Sequence, residues 1–275
     1  MTADIRDIDD LAGCRAVVDV QIEVWGRDAE TVPASLLAAS IKRGCLLVGA
    51  WDADRLVGFV WSMPGWRHGR PTQWSHMLGV RPGARGRGLG ETLKRAQRER
   101  ALAAGIDLIE WTFDPLQAAN AHLNLSRLGC VASEYRVNAY GEMSGPLHRG
   151  TPTDRLIAEW WIRRPDAPAR DASPATAAIV VRDAGGWVAC VSARADLEAS
   201  TVLVPVPPRF SEMQQQATDL ALAWRLAARN VFTGYFERGY RAVDFFLNRE
   251  HDGGAYLLAR ETSNLERHTA HDGTR

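Results

Sequence analysis

A glycine-rich loop between a strand pattern and a helix pattern is the feature that most limits how this chain folds. Residues 74–80 are typical of a strand, and residues 91–104 have helical spacing. The glycines between them are Gly86, Gly88 and Gly90. Such a loop at the start of a helix presents unpaired N–H groups and the positive end of the helix dipole, which together bind phosphate. Arg85 and Arg87 add two positive charges, so the sequence predicts a phosphate or diphosphate site.

Two common phosphate-binding motifs do not fit this loop. No Gly-Lys-Ser/Thr follows the glycines, which excludes a P-loop. Glu91 stands where the dinucleotide fingerprint has its last glycine. The alternative to a ligand site is a tight surface turn with two solvated arginines, and the strand and helix that flank the loop favour the ligand site.

The helix pattern after the loop has an apolar face and a basic one. Leu89, Leu93, Ala96 and Ala103 lie on one face at helical spacing. Four basic residues lie largely off this face: Lys94, Arg95, Arg98 and Arg100. We expect them to be solvated.

The loop resembles a known family motif. The run Val80-x-Pro82-x-x-Arg85-Gly86-x-Gly88-Leu89-Gly90 is similar to the acyl-CoA pyrophosphate loop, (Q/R)-x-x-G-x-(G/A), of the GNAT N-acyltransferase superfamily. The order of patterns over roughly residues 3–145 also resembles that fold: two helices, a hairpin, the loop strand, a helix, a strand, a helix and final strands. The resemblance implies an α/β (α+β) class, with a GNAT-type mixed twisted sheet flanked by helices and a smaller α+β C-terminal extension.

The resemblance also implies a co-substrate, acetyl-CoA or another short acyl-CoA, and no metal. Backbone N–H groups of Leu78 and Val80 would bind the pantetheine arm and polarise the thioester carbonyl. Splaying of strands 74–80 and 108–113 would open the groove for that arm. Asn120 stands where the family's second motif places an asparagine, although a helix N-cap or surface role is the alternative. The implied cofactor-binding residues are Leu78, Gly79, Val80, Arg85, Gly86, Arg87, Gly88, Leu89, Gly90 and Asn120.

The implied chemistry needs a base and benefits from an acid. In the family an amine attacks the thioester directly, without an acyl-enzyme, so a base removes a proton from the ammonium. Glu110 and His76 are the catalytic candidates, because each is a titratable residue inside an otherwise apolar strand. The alternative for each is a paired structural side chain. Many members carry a tyrosine that protonates the thiolate, and here that position is Leu125. Its polar neighbours are Ser126, Tyr135 and Tyr140.

Trp66 and Arg155 are the candidates for binding the acceptor. A tryptophan would contact an apolar side chain and Arg155 would bind a carboxylate, which suggests a small-molecule amine such as an amino acid. The alternative for Arg155 is an ion pair with Glu159 on the same strand face. Residues 64–72 form either a wall of the substrate entrance or an ordinary loop.

Composition limits the partners and the location. The chain has 275 residues, 46% hydrophobic and 24% charged, with zero net charge, which is ordinary for a globular protein and gives no electrostatic footprint for nucleic acid. No apolar run approaches the ~18 residues of a membrane helix, and the acidic start is unlike a signal peptide. We therefore expect a cytoplasmic protein without membrane contact. The four cysteines are scattered, and no His/Cys/Asp cluster has metal spacing.

The sequence predicts three parts: a GNAT acyl-CoA-binding domain at 1–148, a smaller α+β domain at 149–261 and a disordered tail at 262–275. A Pro-rich linker is predicted at 165–174. The extension is similar to a longer bacterial branch of the superfamily through Pro152-Thr153-Asp154-Arg155 and Glu159-Trp160-Trp161. Packing of the extension against a twin subunit would give a homodimer. Within it the patterns predict a hairpin turn at 183–186, an edge strand at 202–206 and one long helix at 211–237.

Two classes of function remain. The first is an acyl-CoA-dependent N-acyltransferase (EC 2.3.1 type) that moves an acetyl or other short acyl group to the amine of a small molecule. The second is a non-catalytic module that senses acyl-CoA. The sequence contains no G-x-S-x-G, which argues against a nucleophilic hydrolase.

Overall fold

The computed structural model describes residues 3–260 except residues 28, 68, 142–150, 165–169, 171–174 and 249–252. The chain divides into two compact units: Met1–Thr112 with Glu159–Asp166, and Phe113–Ala158 with Ala167–Arg275. The predicted domain boundary at residue 148, nearly all of the predicted linker and the predicted tail lie outside the described residues.

The first unit is built on a mixed sheet. Its elements are β1 (Asp4–Asp7), α1 (Leu11–Trp25), α2 (Ala34–Ile41), β2 (Leu46–Asp52), β3 (Arg55–Arg67), β4 (Arg70–Val80), α3 (Leu89–Ala103) and β5 (Leu108–Phe113). The strands lie in the order β1-β2-β3-β4-β5. Neighbours are antiparallel except β4 and β5, which are parallel. The predicted mixed α/β class is confirmed.

Alternation along the strands supplies a core on each face of this sheet. Successive strand residues point to opposite faces, so Leu47 packs in a cluster with Leu37 of α2, while Val48 packs in another with Leu93 of α3. All four side chains are at most 3% exposed. Burying each contributes about 1.5–3 kcal/mol, which fixes α1 and α2 on one face and α3 on the other.

The start of α1 shows how the sequence sets its helix ends. The Asp10 side chain accepts a hydrogen bond from the N–H of Gly13 at 2.6 Å. A cap of this type stabilises a helix by about 1 kcal/mol. At the other end, Gly26 has φ of 97°, a conformation that glycine adopts without strain. Both ends of α1 are therefore set by residues that lie next to them in the sequence.

β3 and β4 form a long hairpin that includes most of the segment predicted as a loop. Residues 64–67 continue β3, and residues 70–72 belong to β4, with Pro64 opposite Gln73 and Arg67 opposite Arg70. The prediction of a loop at 64–72 is therefore wrong, and a role of this segment as a wall of the substrate entrance stays a prediction. Proline, glycine and tryptophan resemble a loop in composition, but the ladder to β4 holds this segment extended.

The second unit contains two sheets of its own. Its elements are α4 (Ala118–Ala121), a π-helical turn (His122–Arg127), β6 (Tyr135–Arg136), β7 (Arg155–Trp161), β8 (Thr176–Ala177), β9 (Ile179–Asp183), β10 (Val188–Ala193), β11 (Thr201–Val206), α5 (Phe210–Gln216), α6 (Thr218–Glu237), β12 (Tyr240–Asn248) and β13 (Gly253–Arg260). Residues 155–158 of β7 belong to this unit, with Arg155 and Leu156 paired to β6, while residues 159–161 belong to the first unit. One sheet has the order β12-β13-β11-β8, and β9 with β10 forms a hairpin.

Two predictions in this unit need correction. The predicted edge strand at 202–206 is β11, which pairs with β13 along its length and with β8 at Val202 and Leu203. Pro205 lies beyond the β8 pairing, so its missing N–H costs no bond there. The predicted single helix at 211–237 is two helices, because Ala217 has φ of −145° and interrupts the helical backbone.

Buried ion pairs organise the interior of the second unit. Arg225, which is 1% exposed, donates two hydrogen bonds to Asp114, at 2.7 and 2.8 Å. Asp154 is fully buried and accepts from Arg229 and from the Tyr135 hydroxyl. Bidentate arginine–carboxylate pairs of this kind fix geometry as well as charge.

Candidate active site

The glycine-rich loop leaves the first turn of α3 without a side-chain cap. After β4 the chain makes one 3-10 turn, Pro82–Ala84. Gly86 and Gly88 then have φ of 77° and 75°, a region that residues with a side chain rarely adopt. Gly88 directly precedes α3 and carries no group that could cap it. The N–H groups and the positive dipole end of α3 therefore face the loop.

Two guanidinium groups lie on this loop, and a third beside it has a different task. Arg85 and Arg87 are both exposed, and Arg85 donates through Nε to the Val80 carbonyl at 3.2 Å. Arg81 instead donates to the Leu56 carbonyl at 2.7 Å and pairs with Glu23. Arg81 thus anchors the loop, while Arg85 and Arg87 supply its exposed positive charge.

Backbone N–H groups of β4 point away from β3 at Leu78 and Val80. The Arg81 N–H donates to the Val57 carbonyl of β3 at 2.9 Å. Because the N–H direction alternates along a strand, the N–H groups of Val80 and Leu78 point to the opposite edge. Gly79 lies between them, and a Cβ there would approach Phe59 to 3.0 Å, so this glycine admits the packing of an aromatic ring.

β4 and β5 diverge just where those amides lie. Parallel pairing joins Gln73 with Ile109 and Trp74 with Glu110. Among the described residues this ladder ends there and does not continue toward Leu78 and Val80. The pairing therefore ends where the splay implied by the family resemblance would begin.

His76 occupies a bulge in β4 at the start of this divergence. Met77 lies opposite Trp61 and Ser75 lies opposite Ser62, which leaves His76 as the extra residue. The imidazole is exposed and packs edge-on against Trp61, with ring centroids 5.3 Å apart. Crowding by neighbouring atoms partly desolvates the ring and lowers the pKa of His76 below its usual value. The side chain is therefore neutral at pH 7 and able to accept a proton.

Glu110 is held in an ion pair. Arg67 donates to Glu110 at 2.5 Å and to Glu159 at 3.2 Å. The two carboxylate side chains are 11% and 6% exposed, and that of Arg67 is 29% exposed. Although burial lowers the pKa of Arg67, attraction to Glu159 and Glu110 outweighs it and raises that pKa. A carboxylate bound to a permanent cation is a weaker proton acceptor than a neutral imidazole.

Lys94 is not on the solvated face of α3. The prediction that all four basic residues of the helix are solvated is wrong for this one, which is 2% exposed. Its Nζ donates to Ser75 Oγ at 2.8 Å and lies 3.4 Å from the centroid of the Trp111 ring. Lys94 thus reaches from α3 to both β4 and β5.

The two residues predicted to bind the acceptor, Trp66 and Arg155, belong to different units of the chain. Trp66, near the end of β3, is 73% exposed. Arg155 lies in the second unit, where it donates to the Asp154 carbonyl at 2.9 Å and lies 4.0 Å from Asp114. Glu159 pairs with Arg67 at 3.2 Å. Acceptor binding by Trp66 and by Arg155 stays a prediction.

The remaining predicted positions lie in the second unit. Asn120 is exposed in α4, and its contact with CoA stays a prediction. Leu125, which stands at the family's tyrosine position, is 2% exposed in the π-helical turn and has no proton to give. The Ser126 hydroxyl donates to the Phe245 carbonyl at 2.6 Å. Burial, followed by the charge of Asp154, raises the pKa of Tyr135 far above its usual value.

Sequence reasoning missed Arg67 and the burial of Lys94. Arg67 is separated from Glu110 and Glu159 by 43 and 92 positions in the sequence. No local sequence pattern therefore predicts that these three side chains lie together. Lys94 carried a weak signal, because it shares a stripe with Gln97 and Ala101 at i, i+3 and i+7, and all three are buried.

In the part of the chain that the structure describes, no helix has the length and apolar character needed to cross a bilayer. The same residues contain no group of three or more His, Cys, Asp or Glu side chains that could hold a metal ion.

Comparison with known proteins gives a match that covers most of the first unit and the start of the second. Residues 14–129 match the family model described as "Acetyltransferase (GNAT) family". No curated protein sequence matches the chain. The solved structures that are similar to it include three at 19% identity each. The yncA protein of Salmonella typhimurium, solved with its cofactor acetyl-CoA, covers 62% of this chain and 100% of its own, with a TM-score of 0.48.

The other two are acetyltransferases. Ribosomal-protein-alanine N-acetyltransferase from Brucella melitensis covers 57% of this chain and 98% of its own, with a TM-score of 0.47. Phosphinothricin acetyltransferase from Sinorhizobium meliloti, in complex with AcCoA, covers 58% and 88%, with a TM-score of 0.46. The matched segment contains the glycine-rich loop, α3 and both diverging strands. Residues 14–129 of this chain are thus similar to the acetyltransferase (GNAT) family.

Proposed function

We propose that this protein is an N-acyltransferase that moves an acetyl or other short acyl group from acyl-CoA to the amine of a small molecule. The observation that carries the proposal is one continuous arrangement. The uncapped start of α3 and its exposed arginines follow β4 directly, and the free amide edge of β4 opens where pairing with β5 stops. A diphosphate and an extended pantetheine arm fit these two features in turn.

The loop and the groove divide the work of binding the co-substrate. The N–H groups of residues 86–90 and the guanidinium groups of Arg85 and Arg87 bind the diphosphate. The pantetheine arm extends along β4, and the N–H groups of Leu78 and Val80 bind its amides and the thioester oxygen. Each donor to that oxygen lowers the barrier to attack by about 3–4 kcal/mol. Asn120 would add a contact to the arm.

His76 is the proposed base. The acceptor ammonium loses its proton to the neutral imidazole, and the amine nitrogen then attacks the thioester carbon. The carbon–sulfur bond breaks, the acyl group stays on nitrogen, and the thiolate takes a proton from solvent, because no dedicated acid stands at Leu125. Glu110 is the second candidate, although its ion pair with Arg67 disfavours proton uptake.

The acceptor is proposed to be a small amine such as an amino acid, in contact with Trp66 and Arg155. We propose a cytoplasmic protein, because the acyl-CoA pool lies in that compartment. A homodimer is compatible with this function and is not required by it.

A non-catalytic acyl-CoA sensor is the alternative, and the buried apolar Leu125 favours it, because the family's usual acid is missing. Release of free thiol from acetyl-CoA and succinyl-CoA, measured across a panel of amines, separates the two. An N-acyltransferase releases thiol only with a suitable amine, and mass spectrometry finds the acylated amine. Binding of CoA with no turnover for any amine would leave the sensor.

A further inference from the structure

Lys94 lies at the point where β4 and β5 stop pairing. The last pair is Trp74 with Glu110, so the next pair in the same register would be Ser75 with Trp111. Lys94 contacts both residues of that next pair. Its Nζ donates to Ser75 Oγ at 2.8 Å and lies 3.4 Å from the Trp111 ring centroid. One side chain from α3 therefore spans the first position at which the strands separate.

Burying the ammonium of Lys94 at this position is less favourable than burying an apolar side chain there. Lys94 is 2% exposed, and Ser75 and Trp111 are 5% and 7% exposed. Removing an ammonium from water is unfavourable unless its partners replace the lost hydration. The Ser75 hydroxyl and the face of the Trp111 ring each replace part of that hydration. An apolar side chain of similar length would fill the space without this cost.

Two parallel strands in one sheet close on each other unless something prevents it. Unpaired backbone N–H and C=O groups in the interior are unfavourable, so the ladder tends to continue. The bulge at His76 bends β4 alone. Lys94 is in contact with both strands, and it is placed one residue beyond the last pair.

We propose that Lys94 is a positioning residue that holds β4 and β5 apart and so keeps open the groove for the pantetheine arm. This inference rests on the proposed function, because it needs a ligand that enters the groove. Lys94 itself does not touch the reacting atoms in this account. It acts through Ser75 and Trp111, whose separation sets the width of the groove.

Gln97 supplies a matched control on the same helix. It is fully buried, lies one turn after Lys94, and bonds to Ser75 at 3.3 Å and to Gln73 at 3.0 Å. Both partners belong to β4, so Gln97 does not bridge the two strands. Loss of Gln97 disturbs the same core without removing the spacer.

The test compares two ligands on the wild type, Lys94→Met and Gln97→Met. CoA occupies the loop and the groove, whereas adenosine 3′,5′-bisphosphate carries phosphates and no pantetheine. We expect Lys94→Met to raise the Kd for CoA about ten-fold and to leave the Kd for the bisphosphate unchanged. Gln97→Met should leave the ratio of the two Kd values unchanged. In the unliganded protein, Lys94→Met should also slow amide hydrogen exchange at residues 75–80 and 111–113.

Three results would overturn the inference: an unchanged Kd for CoA in Lys94→Met, an equal loss of affinity for both ligands, or an equal effect of Gln97→Met. A Lys94→Arg variant, which keeps the charge and the reach, should retain most of the affinity for CoA. A wild type that binds neither ligand would overturn the proposed function itself and this inference with it. That outcome differs from the others because the wild type itself, and not only a variant, then does not bind CoA or the bisphosphate.

Discussion

The guanidinium of Arg67 donates to the Glu110 carboxylate at 2.5 Å and to the Glu159 carboxylate at 3.2 Å, so one cation is shared by two nearly buried acids. This pairing orients the Glu110 carboxylate toward Arg67. The pairing distinguishes the two candidates for the general base. His76 is exposed and neutral, whereas the Glu110 carboxylate is bound to Arg67.

The first prediction compares these two candidates. His76→Gln should lower kcat/KM by about 10²–10⁴-fold, because a positioned general base contributes on that order. Glu110→Gln keeps an oxygen for Arg67 and should lower kcat/KM by less than about ten-fold. Steady-state thiol release with acetyl-CoA and the best amine measures both. The assignment is wrong if the order of the two effects is reversed.

The second prediction concerns pH. His76 must be unprotonated to accept a proton, and desolvation lowers its pKa below its usual value. The rate kcat/KM should therefore be constant above that pKa and fall about ten-fold per pH unit below it, with a midpoint under about 6.5. The residual activity of His76→Gln should lack this acid limb. A midpoint above neutrality would assign the limb to another group.

The third prediction concerns the loop backbone. Gly88→Ala places a side chain at φ of 75°, which should lower the free energy of unfolding by about 1–2 kcal/mol and weaken CoA binding. Gly83→Ala is the control, because a Cβ there meets nothing within 4 Å and Gly83 has no positive φ. Urea unfolding and calorimetric titration check the pair. Equal behaviour of the two variants would show that the left-handed backbone at Gly88 is not needed.

The fourth prediction concerns the ion pair between Asp114 and Arg225. Burial alone raises the pKa of Asp114, but the attraction of Arg225 outweighs it and holds the pKa below its usual value. A lowered folded-state pKa gives stability that is present above about pH 3.9 and is lost as the pH falls through the folded-state pKa. Asp114→Asn leaves Arg225 buried without its charge partner and should cost about 3–5 kcal/mol.

Urea unfolding at pH 7 and at acid pH measures that cost. The difference between wild type and Asp114→Asn should shrink as the pH falls below about 3.9. The double variant Asp114→Asn/Arg225→Met should recover part of the loss, because it removes the uncompensated charge. A difference that is independent of pH would rule out the ion pair as its source.

The part of the fold that follows from local pattern was predictable. The cap at Asp10, the strand β5 and the glycine loop before α3 each depend on a few neighbouring residues. The segment at 64–72 was not predictable, because its extended form depends on pairing with β4 and not on its own composition. Ala217 ends α5 although alanine favours helices, and no local signal marks that break.

In the candidate site, too, the features that depend on neighbouring residues were predictable and those that depend on distant residues were not. The loop and the position of His76 could be read from the chain, because a loop motif and a polar residue within an apolar strand are local features. The partner of Glu110 could not, because Arg67 lies 43 residues away. The burial of Lys94 depends on where α3 crosses β4 and β5, which the sequence of α3 alone leaves open.

Calorimetric titration of CoA into the wild type and into the double variant Arg85→Ala/Arg87→Ala tests the central claim, that the loop before α3 binds the diphosphate of CoA. We expect one CoA per chain with a micromolar Kd for the wild type, and affinity at least about ten-fold weaker for the double variant, because each lost charge-assisted hydrogen bond costs about 1.5–3 kcal/mol. Arg15→Ala, which removes an exposed arginine of α1, should bind like the wild type. Equal affinity for CoA in the wild type and the double variant, or no binding at all, would contradict the account.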